Sequence, residues 1–323
     1  MLPLLIGVAG AVLVLGLVIT LRCPPDVPAE LPGWPSLGFL YLQLLRSALS
    51  RKKAPADLKG KPIQVKLTAP AAFSTSRYAA FLKLVGYKAV PQQVPFSYPF
   101  VESFRLSMLA MSHRDFPFNV LGAVLARNSS SMSRPIRSDE ALTYTASVDP
   151  NYVRNEKGHI EIQIVCTGTD SKGDQVWVNS LTVIVINPKA KRGGGGSKTG
   201  EAPPTWQLLA NLSVPGNAGR AYGALSGDRN PIHLSSLTSR LFGFKRPIAH
   251  AMYLVACLEA ELANAGYTAK AYPAEFETEF KRPTPLPAKL QVVVSPAAQP
   301  ALQCAVLTGN AEKDVILGRL YSK

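Results

Sequence analysis

Pro247-Ile248-Ala249-His250-Ala251-Met252-Tyr253-Leu254-Val255-Ala256-Cys257-Leu258-Glu259-Ala260-Glu261-Leu262 is a helical stretch with more apolar surface than a two-faced helix carries. Met252, Leu254, Val255, Leu258 and Leu262 recur with a helical period over a broad face. A helix apolar on most sides has to be enclosed. The residues that follow supply an enclosure. Residues 276–280, 289–294, 302–307 and 315–321 read as strands, alternating or wholly apolar. Two short helical pieces, 218–224 and 233–242, come before the long one. The expected arrangement is an antiparallel sheet curled around one central helix.

The same plan recurs upstream. Pro99-Phe100-Val101-Glu102-Ser103 opens a second apolar helix, on which Phe100, Phe104, Leu106, Met108 and Leu109 lie. Arg134-Pro135 is followed by Leu142, and Arg282-Pro283 by Leu290, at the same spacing. Strands are expected at 142–148, 160–166 and 176–186. Between the halves, Lys189, Lys191, Arg192, Gly193 to Gly196, Ser197 and Pro203-Pro204 have the composition of a linker. This defines an α+β, double hot-dog chain: one unit over 60–187, a linker over 188–204 and a second unit over 205–323. Two copies in one chain form an internal pseudo-dimer, so a monomer is expected.

Leu2 to Leu21 is nearly all apolar and long enough to cross a bilayer. Only the α-amino group precedes it as a positive charge, and Arg22-Cys23-Pro24-Pro25 does not read as a cleavage site. A retained transmembrane anchor over residues 1–22 is therefore expected. Arg22, Arg46, Arg51, Lys52 and Lys53 follow it, which orients the body toward the cytoplasm. Residues 23–59 form a juxtamembrane segment. Its amphipathic part, with Phe39, Leu40, Leu42, Leu44 and Leu45, reads equally as a helix lying on the membrane or as one packed on the body.

The 323 residues carry a formal net charge of +14, which suits an anionic lipid surface or a phosphate-bearing carrier. No zinc finger, RNA-recognition signature or run of aromatics among basic residues is present, so nucleic acid ranks below both. Cys23, Cys166, Cys257 and Cys304 form no CxxC pair and no metal-type spacing. They read as idle thiols in a reducing compartment.

The chemistry concentrates in Tyr222-Gly-Ala-Leu-Ser-Gly-Asp-Arg-Asn-Pro-Ile-His233. Asp228 and His233 stand five residues apart, with Gly227, Asn230 and Pro231 setting the turn. A carboxylate and an imidazole on one short loop can share a water molecule, as addition of water to an activated double bond requires. Taken singly, Asp228 reads as a helix cap and His233 as a core imidazole. Ser226 lacks a nucleophile elbow and reads as a packing or hydrogen-bonding residue. His113 and His159 read as surface residues.

The run Leu225-Ser226-Gly227-Asp228-x-Asn230-Pro231-Ile232-His233, with Tyr222 before it, Ser239 after it, and then Gly243-Phe244-x-x-Pro247-Ile248-Ala249-His250, resembles the MaoC-like dehydratases, the (R)-specific enoyl-thioester hydratases. The remainder of both halves resembles the two-domain members through the Arg-Pro spacing and strand order, and residues 1–60 lie outside the resemblance. It implies Asp228 and His233 as the catalytic pair, His233 as base in hydration and Asp228 as proton shuttle. Asn230 would orient the pair or the loop, Pro231 would fix φ, and Gly227 would let the backbone pass close to substrate. An enolate-like oxygen needs N–H donors, and the helix start around His250-Ala251 offers them. The family usually carries Gly where this chain has Ala251, which keeps the N–H and adds a methyl.

His250 has two readings, as a structural residue at that helix end or as a substrate-positioning one. Arg229, Arg240, Lys245 and Arg246 would meet the phosphates of a thioester carrier, or form a solvated basic face. The first half lacks the motif and has Glu102 opposite His250 when the prolines are aligned. It is expected to be a non-catalytic copy that shapes the acyl pocket. The expected protein is thus a membrane-anchored hydro-lyase, a 3-hydroxyacyl-thioester dehydratase or trans-2-enoyl-thioester hydratase. Its substrate is carried on CoA or acyl carrier protein, with no other cofactor and no metal. The alternatives are a hot-dog thioesterase and a non-catalytic acyl-binding membrane scaffold.

Overall fold

A computed structural model describes residues 27–50, 54–119, 123–186, 205–295, 301–309 and 313–322. The first unit contains β1 (Glu30–Leu31), α1 (Leu37–Leu49), β2 (Ile63–Leu67), β3 (Ala71–Ala72), α2 (Thr75–Val85), α3 (Tyr98–Ser112), β4 (Ala123–Met132), β5 (Ala141–Val148), β6 (Val153–Arg154), β7 (Ile160–Thr169) and β8 (Gln175–Val185). The second contains β9 (Gln207–Val214), α4 (Ala218–Ser226), a 3-10 turn (Pro231–His233), α5 (Ser236–Arg240), α6 (Ala251–Asn264), β10 (Ala274–Phe280), β11 (Ala288–Ser295), β12 (Leu302–Thr308) and β13 (Asp314–Ser322).

The two long helices are enclosed as their sequences require. Every residue of α3 except Arg105 and Met108 is buried. In α6 the buried residues run without a break from Met252 to Leu258. A run longer than a full turn has no solvent face, so the sheet must wrap around it.

Strand order shows the duplication directly. The first unit orders its strands β2-β5-β7-β8-β4, and the second β9-β11-β12-β13-β10. Taken in chain order within each unit, both sequences are first, third, fourth, fifth, second. The units are joined edge to edge, because β4 pairs antiparallel with β10, Asn128 opposite Thr278 and Ser130 opposite Phe276. One sheet therefore runs through both units and has two helices in its two hollows.

β4 carries no apolar alternation, and its residues explain how it sits in the middle of the sheet all the same. Asn128 and Ser130 are buried, and the Asn179 amide of β8 donates to Asn128 Oδ1 at 2.6 Å and to Ser130 Oγ at 2.7 Å. Asn128 Nδ2 reaches Thr278 Oγ1 at 3.4 Å across the junction. Buried polar groups in a partnered seam cost little compared with orphaned ones.

The proline alignment of the halves needs a correction. Pro99 lies in the first turn of α3, whereas α6 begins four residues after Pro247. Matched by helix start, Ser97 stands opposite His250 as N-cap. Glu102 sits one turn further in, buried, paired with Arg77 at 2.7 Å and accepting from the Tyr98 hydroxyl at 2.7 Å.

The described part of the 23–59 segment is built into the body. β1 pairs with β2 in parallel, and α1 packs on α3 and buries Leu40, Gln43 and Ser47. Its outer side leaves Leu42, Leu45 and Leu49 exposed. Residues 1–22, Cys23 and the 188–204 linker lie outside the described residues. Among the described residues no helix is long and apolar enough to cross a membrane. Cys166, Cys257 and Cys304 are buried and free, and burial pushes the Cys166 thiol up to about 11.

Candidate active site

α4 ends at Gly227, whose φ of 81° is the left-handed conformation of a C-capping glycine. The chain then doubles back along α4. It passes so close that side chains are excluded beneath it. A Cβ on Gly219 would stand 2.1 Å from the His233 carbonyl oxygen, and one on Gly223 would stand 2.5 Å from that of Asp228. The two glycines are one helical turn apart and form a groove for the loop. Gly227 differs from expectation: its missing Cβ points at Leu37 of α1, 2.9 Å away, and not at the cavity.

Short local hydrogen bonds fix the loop. Ser226 Oγ donates to the Tyr222 carbonyl at 3.0 Å and accepts from the Asp228 N–H at 3.1 Å. Asp228 Oδ1 accepts from the Asn230 N–H at 3.1 Å. Asn230 caps the 3-10 turn, with Oδ1 accepting from the Ile232 N–H at 3.4 Å. These are the local side-chain bonds that Asp, Asn and Ser make in turns.

The imidazoles are held from opposite sides. His233 Nδ1 lies 2.8 Å from the Ile248 carbonyl, and His250 Nε2 lies 3.0 Å from the Asp228 carbonyl. A carbonyl only accepts, so those nitrogens carry the protons. His233 Nε2 and His250 Nδ1 are left with lone pairs, and His250 Nδ1 is buried without a hydrogen-bond partner. The rings stack with centroids 3.7 Å apart, and Tyr222 packs its ring 5.1 Å from His250. Burial lowers both histidines below the ordinary imidazole pKa, His250 to about 4, and the Asp228 carboxylate opposes this only in part.

His250 Nε2 is 3.6 Å from Asp228 Oδ2. One ligating atom from each of Asp228, His233 and His250 lies within 4.8 Å of the others, close enough for one water to bridge carboxylate and imidazole. Among the described residues this is the cluster that could also hold a cation.

Asp228, His233 and Ala251 line one cavity of about 380 Å³. α6 begins at Ala251 with no side-chain cap from His250, so its first-turn N–H groups face that space. The opposite wall comes from the first unit, through Phe100, Phe104, Met108 and Met111 of α3. Leu106 and Leu109, read from the sequence as candidates for this wall, are fully buried in the core instead.

Arg229, Arg240, Lys245 and Arg246 are exposed, and none lines the cavity. Lys281 and Arg282 line it, with Pro283 and Thr284, whose hydroxyl is buried and unpartnered. A sequence signal for Arg282 existed in the repeated Arg-Pro pair. In the first unit Arg134 is tied to Glu140 at 2.8 Å and Asp170 at 2.9 Å. Arg282 donates only to the Asp314 carbonyl.

The corresponding place in the first unit is filled. Glu259 of α6 accepts from the Phe96 N–H at 2.6 Å, the Ser97 N–H at 3.1 Å and the Ser97 hydroxyl at 2.6 Å. A carboxylate thus occupies the N-terminus of α3, where α6 faces open cavity, and only about 50 Å³ remains beside it. Burial raises the Glu259 carboxyl to about 7.

Two units of one topology, one with an Asp/His loop over a cavity and one with that place filled, define a double hot-dog protein with a single site. The second unit carries a MaoC-like domain: the model of the family described as MaoC like domain matches residues 211–308. The chain is 28% identical over 224 residues to 3-hydroxyacyl-thioester dehydratase X of Mycobacterium tuberculosis, covering 67% of this chain and 75% of that one. Its fold is similar to the crystal structure of HtdX of Mycobacterium tuberculosis, with a TM-score of 0.66, 24% identity, 81% of this chain and 100% of that one. It is also similar to a MaoC-like dehydratase from Phytophthora capsici, with a TM-score of 0.65, 13% identity, 84% of this chain and 98% of that one.

Proposed function

We infer that the protein is a 3-hydroxyacyl-thioester dehydratase, working in reverse as a trans-2-enoyl-thioester hydratase. One observation carries the reading: Asp228, His233 and the uncapped start of α6 at Ala251 face the same apolar cavity. In hydration, water sits between His233 Nε2 and the Asp228 carboxylate. His233 draws a proton from it as the oxygen adds to the β-carbon. Charge develops on the thioester oxygen, which the Ala251 N–H stabilises. The proton returns through Asp228 to the α-carbon. The oxygen and one hydrogen of the same water thus end on one face of the alkene. Syn addition on that face supports the (R)-product that the motif resemblance implies.

The acyl chain lies between α6 and the Phe100, Phe104, Met108 wall, so the first unit is non-catalytic and shapes the pocket. The acyl group arrives on CoA or acyl carrier protein, and no further cofactor is called for. Lys281 and Arg282 are nearer to a carrier phosphate than the exposed basic residues of the catalytic loop region. The test is turnover of trans-2-enoyl-CoA coupled to a dehydrogenase specific for (R)-3-hydroxyacyl-CoA. Coupled reduction supports the reading, and coupling only to an (S)-specific enzyme overturns its stereochemistry.

The pH dependence follows from the buried base. The working form of His233 is neutral, and burial lowers its pKa, so the base persists as pH falls through about 6.5. The expected kcat/KM is level from about pH 8 to about pH 6 and falls only below that. A limb centred at the ordinary imidazole value contradicts the assignment.

Membrane attachment belongs to the same reading, with the body on the cytoplasmic side. Its support is the apolar run from Leu2 to Leu21 and the exposed Leu42, Leu45 and Leu49 on α1. The full chain is expected to float with lipid vesicles, and the chain without residues 1–22 to lose most of that. Equal recovery of both in the soluble fraction contradicts it.

A further inference from the structure

We propose that Tyr41, on the α1 helix outside the MaoC-like domain, is a positioning residue for Asp228; this rests on the dehydratase reading. Its hydroxyl spans the backbone on both sides of that residue. It donates to the Gly227 carbonyl at 2.8 Å and accepts from the Arg229 N–H at 2.5 Å. Asp228 is thereby held at both peptide units by one phenol that lies 186 residues away in sequence.

The clamp is part of a packed joint. Leu37, one turn earlier on α1, closes over Gly227, where a Cβ would come within 2.9 Å of it. This gives a second reason, besides the φ of 81°, for glycine at that position. Arg105 of α3 donates to the Pro35 carbonyl at 3.2 Å and so ties the approach to α1 to the same corner. Leu40, Gln43 and Ser47 hold the helix down on its inner side. Burial pushes the Tyr41 phenol up to about 12, so it keeps the proton it donates at every working pH.

The carboxylate itself is anchored only by the Asn230 N–H and by its place near His250. The orientation of its backbone therefore decides where Oδ2 stands relative to the shared water. A displacement of an ångström at such a group changes the chemical step far more than binding. The segment carrying Tyr41 precedes the first hot-dog strand, yet it completes the site of the second unit. α1 also exposes Leu42, Leu45 and Leu49 on its other side, so whatever covers those leucines acts on the same helix.

The test compares wild type with Tyr41→Phe in the full chain. The variant keeps the ring and its packing and loses both hydrogen bonds. Tyr78→Phe makes the same chemical change where the hydroxyl is buried without a partner. Two readouts are taken: kcat and KM on trans-2-enoyl-CoA, and amide hydrogen exchange of the peptide spanning 224–234. The expected result for Tyr41→Phe is a fall in kcat of about tenfold, KM within about twofold, an unchanged melting temperature and faster exchange in that peptide. Tyr78→Phe should match wild type in both.

Unchanged exchange overturns the clamp. Faster exchange with unchanged kcat, or a kcat loss that follows a general drop in melting temperature, overturns the positioning role. If the wild type turns over no enoyl-thioester, the dehydratase reading falls, and exchange alone decides whether Tyr41 holds the loop.

Discussion

Asp228→Asn is expected to lower kcat/KM for enoyl-thioester hydration by about a thousandfold, with fold and thioester binding intact. The amide is nearly isosteric with the carboxylate. Its oxygen still accepts the Asn230 N–H that Asp228 Oδ1 accepts at 3.1 Å, so the loop keeps its turn. The N–H of residue 228 still reaches Ser226 Oγ, and its carbonyl still receives His250 Nε2. What is lost is a group that can carry a proton from water to the α-carbon. Steady-state kinetics, with binding of a saturated acyl-CoA measured by calorimetry, separates the two effects. A variant that retains more than about a tenth of wild-type turnover removes Asp228 from the mechanism. Loss of binding together with rate would make it a binding residue.

Gly219→Ala is expected to damage stability and rate together. The new methyl would stand 2.1 Å from the His233 carbonyl oxygen, a backbone atom that cannot swing aside. Overpacking of this kind costs about 1–3 kcal/mol. The loop has to lift off α4, which pulls His233 Nδ1 from the Ile248 carbonyl and moves the base away from the shared water. A shift of that size costs about a hundredfold in rate. Gly216→Ala is the control, since a Cβ there meets only Pro287 at 3.9 Å and should change neither quantity. Urea unfolding and kcat are the measurements. A Gly219→Ala enzyme as stable and fast as wild type would mean that the loop does not depend on the α4 groove.

The parts of this protein legible in its sequence are those with a local signal. α6 announces itself because its apolar residues leave no face for solvent. β5, β7, β8 and the strands after α6 alternate or run apolar, and Asp228 and His233 stand in a short loop of turn-forming residues. What escapes reading depends on distant partners. β4 looks like a polar loop because Asn128 and Ser130 are satisfied by Asn179 and Thr278, residues that no local pattern brings to them. Glu102 resembled a counterpart of His250 only because Pro99 lies inside its helix and Pro247 ahead of its own.

Gly219 and Gly223 could have been singled out by their one-turn spacing, since glycines at that interval in a helix mark a close approach of backbone. Arg282 could have been separated from Arg134 by the acidic residues that only Arg134 has nearby in sequence, Asp139 and Glu140. No sequence signal marked Tyr41. Its role exists only because α1 folds back onto the second unit.

The most direct test is the absorbance of the enoyl-thioester band when the purified full chain meets trans-2-enoyl-CoA, with free thiol followed in the same cuvette. Short and long acyl chains are run in parallel, and the same series is repeated on acyl carrier protein. The account predicts that the band decays with no release of thiol. Thiol appearing in step with the loss would make the protein a thioesterase. A band unchanged on both carriers at every chain length would contradict the dehydratase reading and leave an acyl-binding protein.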